Sequence, residues 1–141
     1  VINDNILNSN LTDKFNLISC ISTLEHIENY NAAVAAMFGL LAPGGRLILT
    51  FPYCEYEYIP NVYALKGSIG ADVYPFKTQV YSRQQIDGWL QANNARIVHQ
   101  TYWQFFSGKF WTLGDRIVPP IKSKPDQLHQ ICCLALERLS L

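Results

Sequence analysis

An apolar strand, an amphipathic helix and a second apolar strand follow one another within about 37 residues, and that order leaves few folds open to the chain. Phe15 to Ser22 is a short β-branched, apolar run behind the turn-prone Thr12-Asp13-Lys14, and it reads as a strand buried on both faces. Tyr30, Ala33, Val34, Met37, Phe38 and Leu41 then recur at helical spacing as one stripe, with Asn31 available as the N-cap. Ala42-Pro43-Gly44-Gly45 stops that helix. Arg46 to Phe51 is the second strand, closed by Pro52. This is the size of a βαβ crossover, so the two strands are expected to be parallel and close in the sheet.

Residues 52–81 hold six tyrosines, three prolines and two glycines with no sustained period, and read as a long irregular excursion. Ser82-Arg83-Gln84-Gln85 is a capping box that opens a helix, with Ile86, Trp89 and Leu90 on one face and Asn93-Asn94 at its end. Ala95 to Phe106 reads as a strand. Residues 107–127, with Pro119-Pro120 and Pro125, read as a second irregular segment. Gln130 to Leu139 is a last apolar run, taken as a strand although Ala-Leu-Glu-Arg-Leu also suits a helix. The alternation predicts a single α/β domain over residues 1–141, with a sheet covered on both faces. Its ligand crevice should lie beyond the carboxyl ends of the strands, where Ser22 to Glu28 and the tyrosine-rich excursion sit.

Eleven basic residues balance eleven acidic ones, so no net field draws in a polyanion, and nucleic-acid binding by bulk charge is not expected. A hydrophobic share of 49% against 16% charged residues excludes disorder. No apolar run is long enough to span a membrane. Cys20, Cys54, Cys132 and Cys133 lack CxxC spacing and read as reduced thiols of a cytoplasmic protein. Cys132 and Cys133 are adjacent in a strand and point to opposite faces. The first residue is Val1 rather than Met, which suggests a fragment or a processed product.

The stretch from Asp13 to Cys20, then Leu24-Glu25-His26-Ile27, then Leu40-Leu41-Ala42-Pro43-Gly44-Gly45-Arg46 to Thr50, resembles class I S-adenosylmethionine (SAM)-dependent methyltransferases. Leu-Glu-His-Ile or Pro-Gly-Gly alone is a weak signal; their order, about sixteen residues apart between two apolar strands, is similar to strand four, its helix and strand five of that fold. Val1 to Ile6 looks like the tail of the third strand, and the later elements are similar to the family's last helix and C-terminal antiparallel hairpin. The resemblance implies a Rossmann-like methyltransferase fold, truncated at the N-terminus, with strand order 4-5-7-6. It also implies methyl transfer from SAM to a small-molecule acceptor. The family's GxGxG cofactor loop has no counterpart, because the eight glycines never fall in GxG order after a strand. The chain thus looks like the C-terminal part of such an enzyme, inactive by itself.

By the same resemblance Asp4 and Asn5 fall at the adenine end of the cofactor site, and the backbone of Cys20, Ile21 and Ser22 lies along its methionine portion. Some relatives hold a divalent cation with a further glutamate ahead of the Glu-His pair; here Ser22 stands there, so no metal site is expected. Glu25 then reads as a residue near the helix entrance. His26 is the candidate general base, since a near-neutral imidazole can take a proton from an acceptor hydroxyl or amine. Tyr53 and Tyr56, in the excursion at 52–81, and Trp111 and Arg116, in the segment at 107–127, are expected to contact the acceptor as two lids. Without its N-terminal neighbours the strand Phe15 to Ser22 becomes an exposed apolar edge, open to pairing in a homodimer. Two other readings are a catalytically inactive interaction module that uses this edge, and a nicotinamide-dependent Rossmann enzyme, which the missing glycine loop weakens.

Overall fold

The computed structural model describes residues 2–140. Its frame is the expected crossover: β1 (Phe15–Ile21), α1 (Tyr30–Leu40) and β2 (Leu41–Pro52), with β1 and β2 parallel and paired from Ile18–Leu47 to Ile21–Thr50. The stripe on α1 buries Ala33, Val34, Met37 and Phe38 against Leu47, Leu49 and Phe51. The helix starts one residue ahead of Asn31, and Asn29 caps it by accepting from the Ala32 N–H at 3.3 Å. Asn31 instead accepts a 2.9 Å hydrogen bond from the Trp89 indole, which ties α1 to α2.

The second strand is longer than its apolar run, because Ala42 to Gly45 continue the ladder as a bulge. Gly44 takes φ +73°, and a Cβ on Gly45 would sit 2.8 Å from the Ala42 carbonyl oxygen. Beyond the excursion come α2 (Arg83–Asn93), opened by the Ser82–Gln85 capping box, then β3 (Ala95–Phe106), β4 (Arg116–Ser123) and β5 (Ile131–Arg138). The sheet order is β1-β2-β5-β3-β4, with every pair after the first antiparallel. The last apolar run is therefore a strand, and strands β1-β2-β5-β3 have the expected 4-5-7-6 arrangement.

Several expectations are corrected. Residues 107–127 are not irregular throughout, since β4 lies within them. Its pairing with β3 jumps from Gln104–Ile121 to Phe106–Arg116, so the diproline falls in a bulge on an edge strand, where missing N–H groups cost no ladder bonds. The sheet is also covered on one face only. Both helices join one core with Leu47, Leu49, Phe51, Leu134 and Leu136, whereas the opposite face carries Leu17 and Ile21, 61% and 52% exposed. The strand β1 is thus not buried on both faces: Ile18 and Cys20 pack inward while its other side chains stay open. Finally, Ile2 to Asn5 form no strand; Ile6–Asn8 is a single 3-10 turn whose leading Asn5 accepts from the Leu7 N–H at 3.1 Å. Val1, the start of the expected third-strand tail, lies outside the described residues.

Candidate active site

Because β1 and β2 are parallel, their carboxyl ends lie together, and the turn after β1 meets the excursion after β2 there. At the end of β1, Ser22 adopts φ +46°, a left-handed conformation that costs a non-glycine residue about 1–3 kcal/mol. Its N–H donates to the Thr50 carbonyl at 3.1 Å and to Thr50 Oγ1 at 2.9 Å, which fastens the turn to β2. The chain then makes one 3-10 turn, Leu24–His26. Glu25 is in that turn and is not at the entrance of α1, so a helix-dipole role is corrected.

The excursion at 52–81 is stitched back onto this turn. Gln79 donates from its side-chain amide to the Ile27 carbonyl at 2.8 Å and from its backbone to the Glu25 carbonyl at 3.0 Å, while accepting from the Tyr58 hydroxyl at 2.6 Å. Tyr81, fully buried, donates to the Leu24 carbonyl at 2.8 Å. The tip of the excursion joins the segment after β3 through Ser68 and Thr112, whose hydroxyls lie 2.6 Å apart. A small separate core of Ile59, Val62, Val80 and Phe110 supports both. Buried Gln130 pins the end of β3, accepting from the Phe105 and Phe106 N–H groups and donating to the Phe106 and Gly108 carbonyls.

These elements enclose a hollow of about 380 Å³ with Ser22, Glu25, His26 and Thr78 at its polar end and Phe76, Phe105 and Trp111 among its walls. A second hollow of about 410 Å³ adjoins it, sharing Tyr63, Tyr74 and Trp111 and reaching Arg116. The two adjoining hollows make up an aromatic cleft in which these three rings are the shared wall. His26 is positioned by its Nδ1, which donates to the Lys77 carbonyl at 2.9 Å, and by the Phe76 ring, edge-on at 4.8 Å. That bond fixes the proton on Nδ1 and leaves Nε2 with a lone pair in the neutral ring. Glu25 is only 5% exposed, and its Oε2 has no hydrogen-bond partner among the described residues. Burial pushes its carboxyl up, and its own backbone amide and the charge of His26 offset only part of that effect.

Of the residues expected to touch the acceptor, Trp111 and Arg116 line the cleft and Tyr53 and Tyr56 do not. Tyr53 is fully buried on another side of the core, donating to Glu55 at 2.6 Å; burial, with Glu55, pushes its hydroxyl up. Burial also pushes Glu55 up, yet the Tyr53 hydroxyl and Arg83 outweigh it and hold that carboxyl below its ordinary range. Tyr56 is 91% exposed and borders a different, shallow hollow with Lys109 and Leu128. Of the cofactor-side residues, Ser22 lines the cleft, Cys20 packs inward and Ile21 faces the open side of the sheet. Asp4 accepts from Ser9 within the N-terminal turn, and neither it nor Asn5 lines the cleft. Tyr63 and Tyr74, two of the excursion tyrosines expected to roof the site, do line it, while Phe76, Thr78 and Phe105, which sequence reasoning passed over, are set in the irregular segments or at the end of β3. There no periodicity marks which face they show.

A family model described as a methyltransferase domain matches residues 3–100. No curated protein matches. Among solved structures, a SAM-dependent methyltransferase from Methanosarcina mazei is similar at TM-score 0.63 and 11% identity, covering 98% of this chain and 66% of its own. The 1,6-didemethyltoxoflavin N1-methyltransferase of Burkholderia thailandensis, bound to 1,6-didemethyltoxoflavin and S-adenosylhomocysteine, gives 0.56 and 11%, covering 96% and 48%. The N-methyltransferase NodS of Bradyrhizobium japonicum, bound to S-adenosylhomocysteine, gives 0.51 and 16%, covering 97% and 52%. The chain therefore spans about half to two thirds of the length of these structures.

The raised Glu25 carboxyl means that the folded state favours its protonated form. The stability it contributes is complete below the ordinary carboxylate range and is lost as pH rises through the folded value. Glu25→Gln should therefore be more stable than the parent in urea at pH 7.5, with the difference vanishing or reversing at pH 4. Parallel pH profiles for the two proteins would contradict this.

Proposed function

Since the chain belongs to the methyltransferase domain family, we propose that it forms the acceptor-binding side of a SAM-dependent enzyme that methylates a small molecule. The observation that carries this reading is the aromatic cleft at the joined carboxyl ends of β1 and β2, with an oriented imidazole at its edge. SAM supplies a methyl group already activated on a sulfonium; the protein's share is alignment, exclusion of water and proton management. Tyr63, Tyr74 and Trp111 hold a planar acceptor between their faces, and Arg116 closes the far end. His26 Nε2 takes the proton that the acceptor gives up.

The residues present fit only one wall of a cofactor site. The backbone at Cys20 to Ser22 would run along the methionine portion, and Ser22 is already held in a conformation that opens the turn beside the cleft. A ribose cradle needs glycines at which the backbone approaches the ligand, and the 141 residues contain no GxGxG. In this reading the ribose cradle comes from polypeptide outside this sequence, with Asp4 and Asn5 of this chain at the adenine end. The chain is then an incomplete enzyme, consistent with its share of the matched structures' length. The small-molecule acceptor is supported by the size of the cleft and by the toxoflavin-precursor enzyme among the similar folds. Among the described residues no helix is long and apolar enough to cross a membrane. The four unpaired cysteines support a cytoplasmic setting.

A second reading, an inactive interaction module, is favoured by the free edge of β1 and the exposed Leu17 and Ile21 beside it. Label transfer separates the two. The intact polypeptide, given SAM labelled in its methyl group and a panel of small aromatic amines and phenols, should label at least one of them. His26→Ala should lower that rate by about 10²–10⁴-fold; no transfer to any small molecule would leave the interaction module standing.

In the 141-residue chain by itself the edge of β1 is satisfied by a second copy. Light scattering behind size exclusion should show a dimer for the 141-residue chain, and Leu17→Lys should shift it to monomer. A soluble monomer of the parent chain would rule the pairing out.

A further inference from the structure

We infer that the molecule bound in the cleft is bipolar: planar, with a protonated or N–H-bearing nitrogen at the Glu25 end and a carboxylate or phosphate at the Arg116 end. Resting on the acceptor-site reading, this names the substrate class that the site selects.

One oxygen of the buried Glu25 carboxyl is taken out of water with nothing to bind. Its Oε2 is shielded and unpartnered, and Lys77, a nearby cation, is spent on Glu28 at 3.7 Å. A buried acceptor left without a donor is costly, and the donor that satisfies it best is a cationic or N–H nitrogen. The hollow that Glu25 lines is the place from which such a nitrogen can come.

Arg116 is the opposite case. Arg46, Arg83 and Arg96 each pair with a carboxylate, and Arg138 donates to the carbonyls of Phe38 and Leu41. Of the five arginines only Arg116 has a guanidinium with no hydrogen-bonded or ionic partner among the described residues. It is nonetheless held in place, its Cζ lying 5.1 Å from the Phe105 ring centroid, 5.2 Å from that of Phe106 and 5.8 Å from that of Trp111. Stacking on rings leaves the edge of the guanidinium free, and that edge matches a carboxylate or phosphate in two-point geometry.

Glu25 lines one hollow and Arg116 the adjoining one, with Tyr63, Tyr74 and Trp111 common to both, so a guest laid along these rings meets Glu25 on one side and Arg116 on the other. An unpartnered carboxyl oxygen on one side and a guanidinium on the other admit a bipolar guest in one direction only. The nitrogen is thereby directed to the end shared by His26 and Ser22, and away from Arg116.

The test uses three flat probes that differ only in charge: 4-(aminomethyl)benzoate, benzylamine and 4-methylbenzoate, titrated into the ¹⁵N-labelled 141-residue chain and followed by amide shifts. The bipolar probe should bind about tenfold more tightly than either single-charge probe, moving amides at residues 24–27 and 111–117 together. Glu25→Gln should bring its affinity down to that of 4-methylbenzoate, and Arg116→Gln down to that of benzylamine. Equal affinities for the three probes, no binding by any, or insensitivity to both substitutions would overturn the inference. Should one variant fail to keep the parent spectrum, the other decides. A bipolar preference in a protein that transfers no methyl group would remove the enzyme reading alone; methyl transfer without the preference would remove this inference alone.

Discussion

Everything at the site depends on the parallel pairing of β1 with β2. An antiparallel pair would send the turn after β1 and the excursion after β2 to opposite ends of the sheet. The parallel pair, spanned by α1, puts them side by side. The pairing is held by burial on one face: Ile18 and Cys20 pack with Leu47 and Leu49 beneath Val34 and Phe38. It is finished by the two hydrogen bonds from the Ser22 amide to Thr50. The left-handed turn at Ser22 is thus stabilised by the strand it leaves, and it delivers Glu25 and His26 to the cleft.

The cleft is rigid on one side and assembled from loops on the other. Irregular backbone needs partners for its polar groups, and here side chains supply them: Gln79 and Tyr81 bind the excursion to the turn at 24–27, and Gln130 binds the segment after β3. Elsewhere Arg83 joins Glu55, Gln100 and Tyr102 in one cluster under the Tyr53 ring, locking the start of α2 to the sheet. Among the described residues nearly every buried polar side chain thus finds a partner, and Glu25 Oε2 is the exception.

What the sequence disclosed was whatever carries a period or a stop. The α1 stripe, its Pro-Gly-Gly stop, the Ser82–Gln85 box and the alternating β5, with Cys132 inward and Cys133 outward, can each be read from residue spacing, whereas the bulge that carries Ala42 to Gly45 into β2 cannot. The sequence hid β4 because its prolines mimic a loop, and an edge strand tolerates them only through a bulge that depends on the neighbouring strand. It hid the roles of the tyrosines for a related reason. In an aperiodic segment nothing local separates Tyr53, which faces the core, from Tyr63, which faces the cleft. The expectation of a sheet covered on both faces failed because both helices lie on the same side, and only the tertiary placement of α1 and α2 reveals that.

The central claim is that the joined strand ends and the aromatic cleft beside them form one side of a methyl-transfer site. The most direct measurement is a crystal structure of the intact polypeptide with S-adenosylhomocysteine. The account predicts a thioether sulfur beside Ser22, pointing into the hollow lined by Glu25, His26 and Trp111. A ligand bound elsewhere on the protein, or one whose sulfur faces away from that hollow, would contradict it.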